Sequence, residues 1–132
     1  MTRNLHKLTN ELRRFIHSIA SIPHLEAMLL MHQYPDKSWD SDAIARRLYL
    51  NQQRALQMLE DLHKSGICAP DPEKNGNFIY APVINELNEL IDQLAIFYAS
   101  NLIEVTNMIH SRAQSDRLVH LFADAFKFNK EK

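Results

Sequence analysis

Apolar residues recur at helical spacing over the first twenty-two residues of the chain, with charged and polar side chains between them. They are Leu5, Leu8, Leu12, Phe15, Ile16, Ile19 and Ile22. Steps of three and four residues place such side chains on one face of a helix. The pattern predicts an N-terminal helix of about five turns within residues 1–21. Pro23 suits the first turn of a second helix, and the turn residues 34–38 end it.

The stretch from Trp39 to Pro82 carries the most local signals. Asp40 or Ser41 can cap a short helix over residues 42–48, and Asn51 can cap a longer one over residues 52–65. Inward positions on that longer helix are assigned to Ala55, Leu59 and Leu62, with Met58 or Leu56 at the edge. Gly66 follows, where a helix commonly ends in a left-handed residue.

A β-hairpin is predicted directly after this helix. Residues 67–69 read as a short strand, and residues 77–81 read as the returning strand. Between them Asn75-Gly76 is a strong hairpin-turn signal. Trp39 is interpreted as a strand or packing residue that caps this two-stranded ribbon.

A long helix is predicted over residues 83–110, and Ser115 or Asp116 can cap a final one. The apolar positions of the long helix continue in steps of three and four, with Asn101 interrupting the series. A stripe of this length needs more cover than a short domain provides, so it is expected to form a dimer seam. The alternative use of the stripe from Ile84 to Ile109 is an effector pocket between two subunits.

The predicted fold class is therefore mostly α with a small β-hairpin. A single domain of 132 residues is expected, with an N-terminal helix (1–21), a core (22–82) and C-terminal helices (83–132). No secretory signal or membrane-length apolar run is evident, and the one cysteine fits a reducing compartment. These features favour a cytoplasmic protein.

The order of a short helix, a tight turn, a longer helix and a ribbon resembles bacterial winged helix-turn-helix transcriptional regulators, broadly the multiple-antibiotic-resistance-regulator superfamily. The resemblance covers residues 22–82. It is carried by the residues Trp39-Asp40, Ile44-Ala45-x-x-Leu48, Ala55-x-x-x-Leu59-x-x-Leu62-x-x-x-Gly66-Ile67 and Tyr80-x-Pro82. It implies that the second helix of the pair enters the DNA major groove, that the ribbon contacts the backbone or minor groove, and that terminal helices form a homodimer.

Carried onto this sequence, the resemblance places base contacts at the start of helix 52–65. It places phosphate contacts at the ribbon tip, and at Arg46 and Arg47 if these face outward. The implied DNA-binding residues are Asn51, Gln52, Gln53, Arg54, Gln57, Arg46, Arg47, Lys74 and Asn75. Gln and Asn side chains can bond adenine in two places, and Arg can bond guanine. The implied dimer residues are Leu5, Leu8, Leu12, Ile84, Leu87, Ile91, Leu94, Tyr98 and Val105.

Charge is the feature that departs from this expectation. The net charge is −1, and residues 41–81 hold five cationic and five anionic side chains. Phosphate contacts by Lys and Arg supply most non-specific DNA affinity, so a neutral face predicts weak DNA binding. Two alternatives therefore stay open: a winged-helix module that binds a protein partner, and a regulator that senses a small molecule.

Candidate chemistry of other kinds is sparse. The seven histidines lack the spacing of a metal site, and Cys68 beside Ile67 is interpreted as a small buried residue instead of a redox sensor. Glu60 and Asp61 are adjacent on a helix and diverge, and no nucleophile elbow is present. The sequence predicts a protein that is not an enzyme and has no cofactor and no metal.

Overall fold

The computed structural model describes residues 7–111, which form a mostly helical fold with one small antiparallel sheet. Its elements are α1 (Asn10–His17), α2 (Ile22–Gln33), α3 (Ser41–Leu48), α4 (Gln52–Lys64), β1 (Cys68–Pro70), β2 (Phe78–Tyr80) and α5 (Asn85–Ser100). A further helix, α6, covers residues 102–111. The predicted helix-rich fold with a hairpin is confirmed at this level.

Helix α2 lies at the centre of the core. Ser21 caps it, accepting a hydrogen bond from the His24 backbone N–H, and Pro23 occupies its first turn. Its buried side chains, which include Leu25 and Met31, are directed to several sides of the helix. The helix accordingly contacts α3, α4, α5 and β2. An apolar helix surrounded in this way organises the elements around it.

Helices α3 and α4 are defined by the caps that the sequence predicted. Asp40 accepts from the Ala43 N–H at 2.8 Å, and Asn51 accepts from the Arg54 N–H at 2.7 Å. Between the helices Tyr49 adopts a left-handed conformation, with φ of 58°. On α4 the buried side chains are Ala55, Met58, Leu59 and Leu62. Met58 therefore belongs to the core and Leu56 to the surface, which resolves the alternative left by the sequence.

Strand β2 of the hairpin pairs with β1 and also with Trp39. Cys68 pairs with Tyr80 and Pro70 with Phe78. Trp39 extends the sheet through two backbone hydrogen bonds with Phe78, of 2.8 and 2.7 Å, and its side chain is fully buried. This confirms the interpretation of Trp39 as a packing residue on the ribbon, and it joins the hairpin to the start of α3.

The prediction of a five-turn N-terminal helix is wrong. Helix α1 has eight residues and ends at Ser18, whose hydroxyl donates to the Phe15 carbonyl at 2.6 Å. The chain then leaves the helix, and Ser21 starts the next one. Ile19 is nevertheless buried. The apolar periodicity therefore continues past the end of α1, because Ile19 in the linker also packs in the core.

The prediction of one helix over residues 83–110 is also wrong. The backbone breaks at Asn101, where φ is −138° and ψ is 45°. The Asn101 amide Nδ2 donates to the Phe97 carbonyl at 3.0 Å, and its own carbonyl accepts from Val105 N–H at 3.0 Å. Asparagine side chains compete with backbone groups in this way and favour helix ends. The result is two helices, α5 and α6.

Several expectations fall outside the described residues. These are Leu5, the start of the N-terminal segment and the final helix capped by Ser115 or Asp116. Within residues 7–111, no helix is both long and apolar enough to span a bilayer.

The requirement for glycine at position 66 can be tested by comparison with Gly76. Both have positive φ, 81° at Gly66 and 87° at Gly76. A Cβ at Gly66 would lie 2.8 Å from Val83 Cγ2, whereas one at Gly76 meets nothing within 4 Å. Each change to Ala should cost about 1 kcal/mol of backbone strain. Gly66→Ala should cost roughly 1 kcal/mol more because of the contact. Equal urea midpoints for the two variants would contradict this.

Cys68 should be unreactive in the folded protein. Its thiol is buried and donates to the Leu59 carbonyl at 3.6 Å, and burial raises its pKa to about 12. At pH 8 only about one thiol in ten thousand is then ionised, and the thiolate is the reactive form. We expect no labelling by a disulfide reagent until urea unfolds the chain. Ser65→Cys, at an exposed position, should add one thiol that reacts in the native state. Rapid native labelling of wild type would refute the burial argument.

Candidate nucleic-acid interface

The outward face of α4 is exposed to solvent. Every predicted contact residue at its start is exposed, namely Asn51, Gln52, Gln53, Arg54 and Gln57. The opposite face packs on α2, α3 and β1. Within residues 7–111, α5 does not cover this surface. The sequence-predicted residues of α4 are thus brought together on one accessible face.

These side chains differ in how they are held. Gln52 Nε2 donates to Ser41 Oγ at 3.3 Å, and Gln57 Nε2 donates to Asp61 Oδ1 at 3.0 Å. Asn51, Gln53, Arg54 and Gln57 line a shallow surface concavity of about 310 Å³. The amide and guanidinium groups around it offer both donors and acceptors. That combination matches what the edge of a base pair presents in the major groove.

Asp61 is half-buried and turned toward α2, whereas the adjacent Glu60 is exposed. His24 Nε2 donates to its Oδ2 at 2.8 Å, and His24 Nδ1 lies 2.5 Å from Ser21 Oγ. The pKa of Asp61 is lowered, chiefly by the hydrogen bond from His24. The contact fixes α4 to α2 and moves one negative charge away from the centre of the exposed surface.

The two arginines of α3 are engaged within the protein. Arg46 is exposed and forms an ion pair with Asp42 one turn earlier, which raises the Arg46 pKa. The Arg47 guanidinium lies over the rings of Tyr34 at 5.6 Å and Trp39 at 5.9 Å. Both had been predicted to meet phosphates. Both side chains are nevertheless exposed, so these contacts leave each guanidinium accessible to solvent.

Lys74 and Asn75 are exposed in the hairpin loop, as predicted. Asp71 organises this loop: its carboxylate accepts from Ser38 Oγ at 2.6 Å and from the Glu73 N–H at 2.9 Å. The pKa of Asp71 is lowered, mainly by the Ser38 hydrogen bond. The loop that carries Lys74 is thereby tied to the segment preceding α3.

Two surface residues near the proposed contacts, Lys37 and Leu56, were not among the predicted DNA-binding residues. Lys37 lies over the Trp39 ring, 4.9 Å from its centroid. Leu56 is 41% exposed on α4. The sequence placed either Leu56 or Met58 at the edge of the buried stripe, and spacing alone did not decide between them because Leu56 and Leu59 are three residues apart. The Lys37 contact depends on the tertiary position of Trp39 and had no sequence signal.

The predicted dimer residues are largely used inside the single chain. Leu12, Ile91, Leu94 and Val105 are fully buried. Half-buried positions are Leu8, Leu87 and Tyr98, and Ile84 is exposed; Leu5 lies outside the described residues. A seam formed by the buried four would require this core to open. A homodimer stays a prediction, and fewer of its proposed contact residues are accessible to a second subunit.

A cavity of about 520 Å³ lies between α1, α2, α4 and the start of α5. Phe15, Ile19, Met28, Leu62 and Leu87 are among its apolar walls, and His24, Asp61 and Lys64 are among its polar ones. Its position differs from the effector pocket expected along residues 84–109. Within residues 7–111, no group of three or more His, Cys, Asp or Glu side chains is placed to hold a metal ion.

The His24–Asp61 contact predicts a defined pH dependence. Because the folded-state pKa of Asp61 lies below its ordinary value of 3.8, its contribution to stability is present above 3.8 and lost as pH falls through the folded pKa. Asp61→Asn should destabilise the protein by about 1 kcal/mol at pH 7. The gap to wild type should close in acid below about pH 3.8. Chemical denaturation across pH measures this.

Asp36→Asn is the matched control, because Asp36 is an exposed aspartate in the turn after α2. Its effect should stay within about 0.5 kcal/mol at every pH. A gap between wild type and Asp61→Asn that persists or widens in acid would contradict the assigned role of the carboxylate.

Comparison with known proteins identifies no relative. No protein-family model matches the chain, and no curated protein or solved structure shows a significant match.

Proposed function

We propose that the protein is a winged-helix, DNA-binding transcriptional regulator that acts as a homodimer and inserts α4 into the major groove. One observation carries the proposal: α4 begins at a side-chain cap and presents a continuous exposed row of amide and guanidinium groups. The N-terminal part of a recognition helix is the part that meets base edges. The hairpin would serve as the wing.

The supporting chemistry is specific to base edges. The amides of Gln53 and Gln57 can each accept from N6 and donate to N7 of adenine, and the Arg54 guanidinium can donate to O6 and N7 of guanine. Lys74 and Asn75 lie on a loop anchored to the segment before α3 through Ser38 and Asp71. An anchored loop can hold a phosphate contact at a fixed distance from the recognition helix.

The charge distribution predicts moderate affinity. Arg46 and Arg47 already have partners within the protein. With few phosphate contacts, the binding constant should fall only gradually as salt is raised. The slope of log K against log salt concentration is about −0.9 for each phosphate contact. Two subunits would double the contacts and read a pseudo-palindrome with half-sites near one helical turn apart.

Selection from a random DNA pool at two salt concentrations tests the proposal. We expect enrichment of a defined duplex, bound more weakly at the higher salt. Arg54→Ala should weaken that duplex by about 1–3 kcal/mol and relax selection at one base pair. Lys74→Ala should weaken all duplexes alike and reduce the salt slope by about one.

Arg13→Ala is the control for loss of positive charge, since Arg13 is exposed on α1 outside the proposed surface. It should leave binding of the enriched duplex nearly unchanged. A pool that yields no enrichment at either salt concentration would overturn the proposal.

A second candidate function is a protein-interaction module on the same fold. The observation that favours it is the exposed Glu60 on the outward face, together with the internal pairing of both α3 arginines. Absence of DNA enrichment, combined with loss of a partner on Glu60→Gln, would support this alternative. Retention of DNA selection by Glu60→Gln would argue against it.

A further inference from the structure

Leu56 is an exposed leucine within an otherwise polar surface. It is 41% exposed and lies outside the buried core. Single exposed leucines are common, so exposure alone has no meaning. Its neighbours are what make this position informative.

The orientation of Leu56 around α4 follows from contacts on each side of the helix. At about 100° per residue, Leu56 lies roughly 60° from Gln53 on the side away from Arg54. His63, on that same side, packs against Phe78 of the hairpin with ring centroids 5.9 Å apart. Asp61, on the Arg54 side, binds His24 of α2. Leu56 therefore lies between Gln53 and the hairpin side of the exposed face.

From this placement we infer that Leu56 reads the 5-methyl group of a thymine, and that the substrate is a duplex with A·T pairs beneath the middle of α4. This inference rests on the proposed function. In the major groove the thymine methyl is the only apolar feature that a base pair displays, and apolar side chains contact it. Gln53 and Gln57, on the adjacent faces, have the chemistry to bond adenine.

The contact has a defined size. Removing one methyl group from an apolar contact costs about 0.8 kcal/mol, which is roughly a fourfold loss of affinity. Deoxyuridine pairs like thymidine and lacks only this methyl. Because Leu56 is not one of the buried core residues, we expect its replacement by Ala to remove the reader while the fold is retained.

The test uses the duplex that wild-type protein enriches from the random pool. Each thymidine in it is replaced singly by deoxyuridine, and affinity is measured for wild type, Leu56→Ala and Leu56→Met. We expect one position per half-site at which wild type loses about fourfold. Leu56→Ala should bind the thymidine and deoxyuridine duplexes equally, and Leu56→Met, which retains an apolar side chain, should remain sensitive.

The outcomes separate this inference from the proposed function. An enriched duplex with no methyl-sensitive position would overturn the role of Leu56 and leave the regulator proposal standing. An equal loss of affinity on deoxyuridine substitution for wild type and Leu56→Ala would also overturn the role of Leu56 and leave the regulator proposal standing. Failure to enrich any duplex would overturn both.

Discussion

The packing of α4 against α2, α3 and β1 determines which side of α4 remains in solvent, and the proposed interface depends on it. Leu59 and Leu62 are buried on the inner face of α4, and apolar burial of this kind stabilises the packing. The hydrogen bond from His24 to Asp61 adds a directional constraint at the edge of that interface. Apolar contact alone tolerates some rotation of a helix, whereas a hydrogen bond of 2.8 Å permits little. Together they fix the direction in which Gln53 and Arg54 are displayed.

Some of the charge around α3 and the hairpin has partners within the protein, and this bears on the proposed recognition of DNA. Arg46 is paired with Asp42, Arg47 lies over two rings, and Asp71 is held by Ser38. These contacts connect the segments around α3 and the hairpin, while both arginines stay exposed. Because cations and anions balance over residues 41–81, the proposed DNA complex would gain selectivity from contacts to base edges more than from counterion release. Low non-specific affinity is the expected consequence of the proposal.

Local signals were read correctly from the sequence because their physics is local. Asn51 caps α4 through the next turn of backbone, and the two glycines adopt positive φ where other residues are strained. The helix break after Ser18 was missed because apolar periodicity continued through it, as the burial of Ile19 shows. At Asn101 the apolar series was interrupted, but a single polar residue within a long series did not by itself indicate a helix end. The partners of Asp61 and Arg47 could not be predicted, since they depend on elements distant in sequence that tertiary packing brings together.

The two faces of α4 have separable requirements. On the buried face, Ala55 is fully enclosed in the core. A larger residue there would overpack the core and require α4 or its neighbours to shift. On the exposed face, Gln53 and Leu56 lie outside the buried core. Under the proposed function, base preference would therefore change by substitution on one face, while the other face preserves the geometry that presents it.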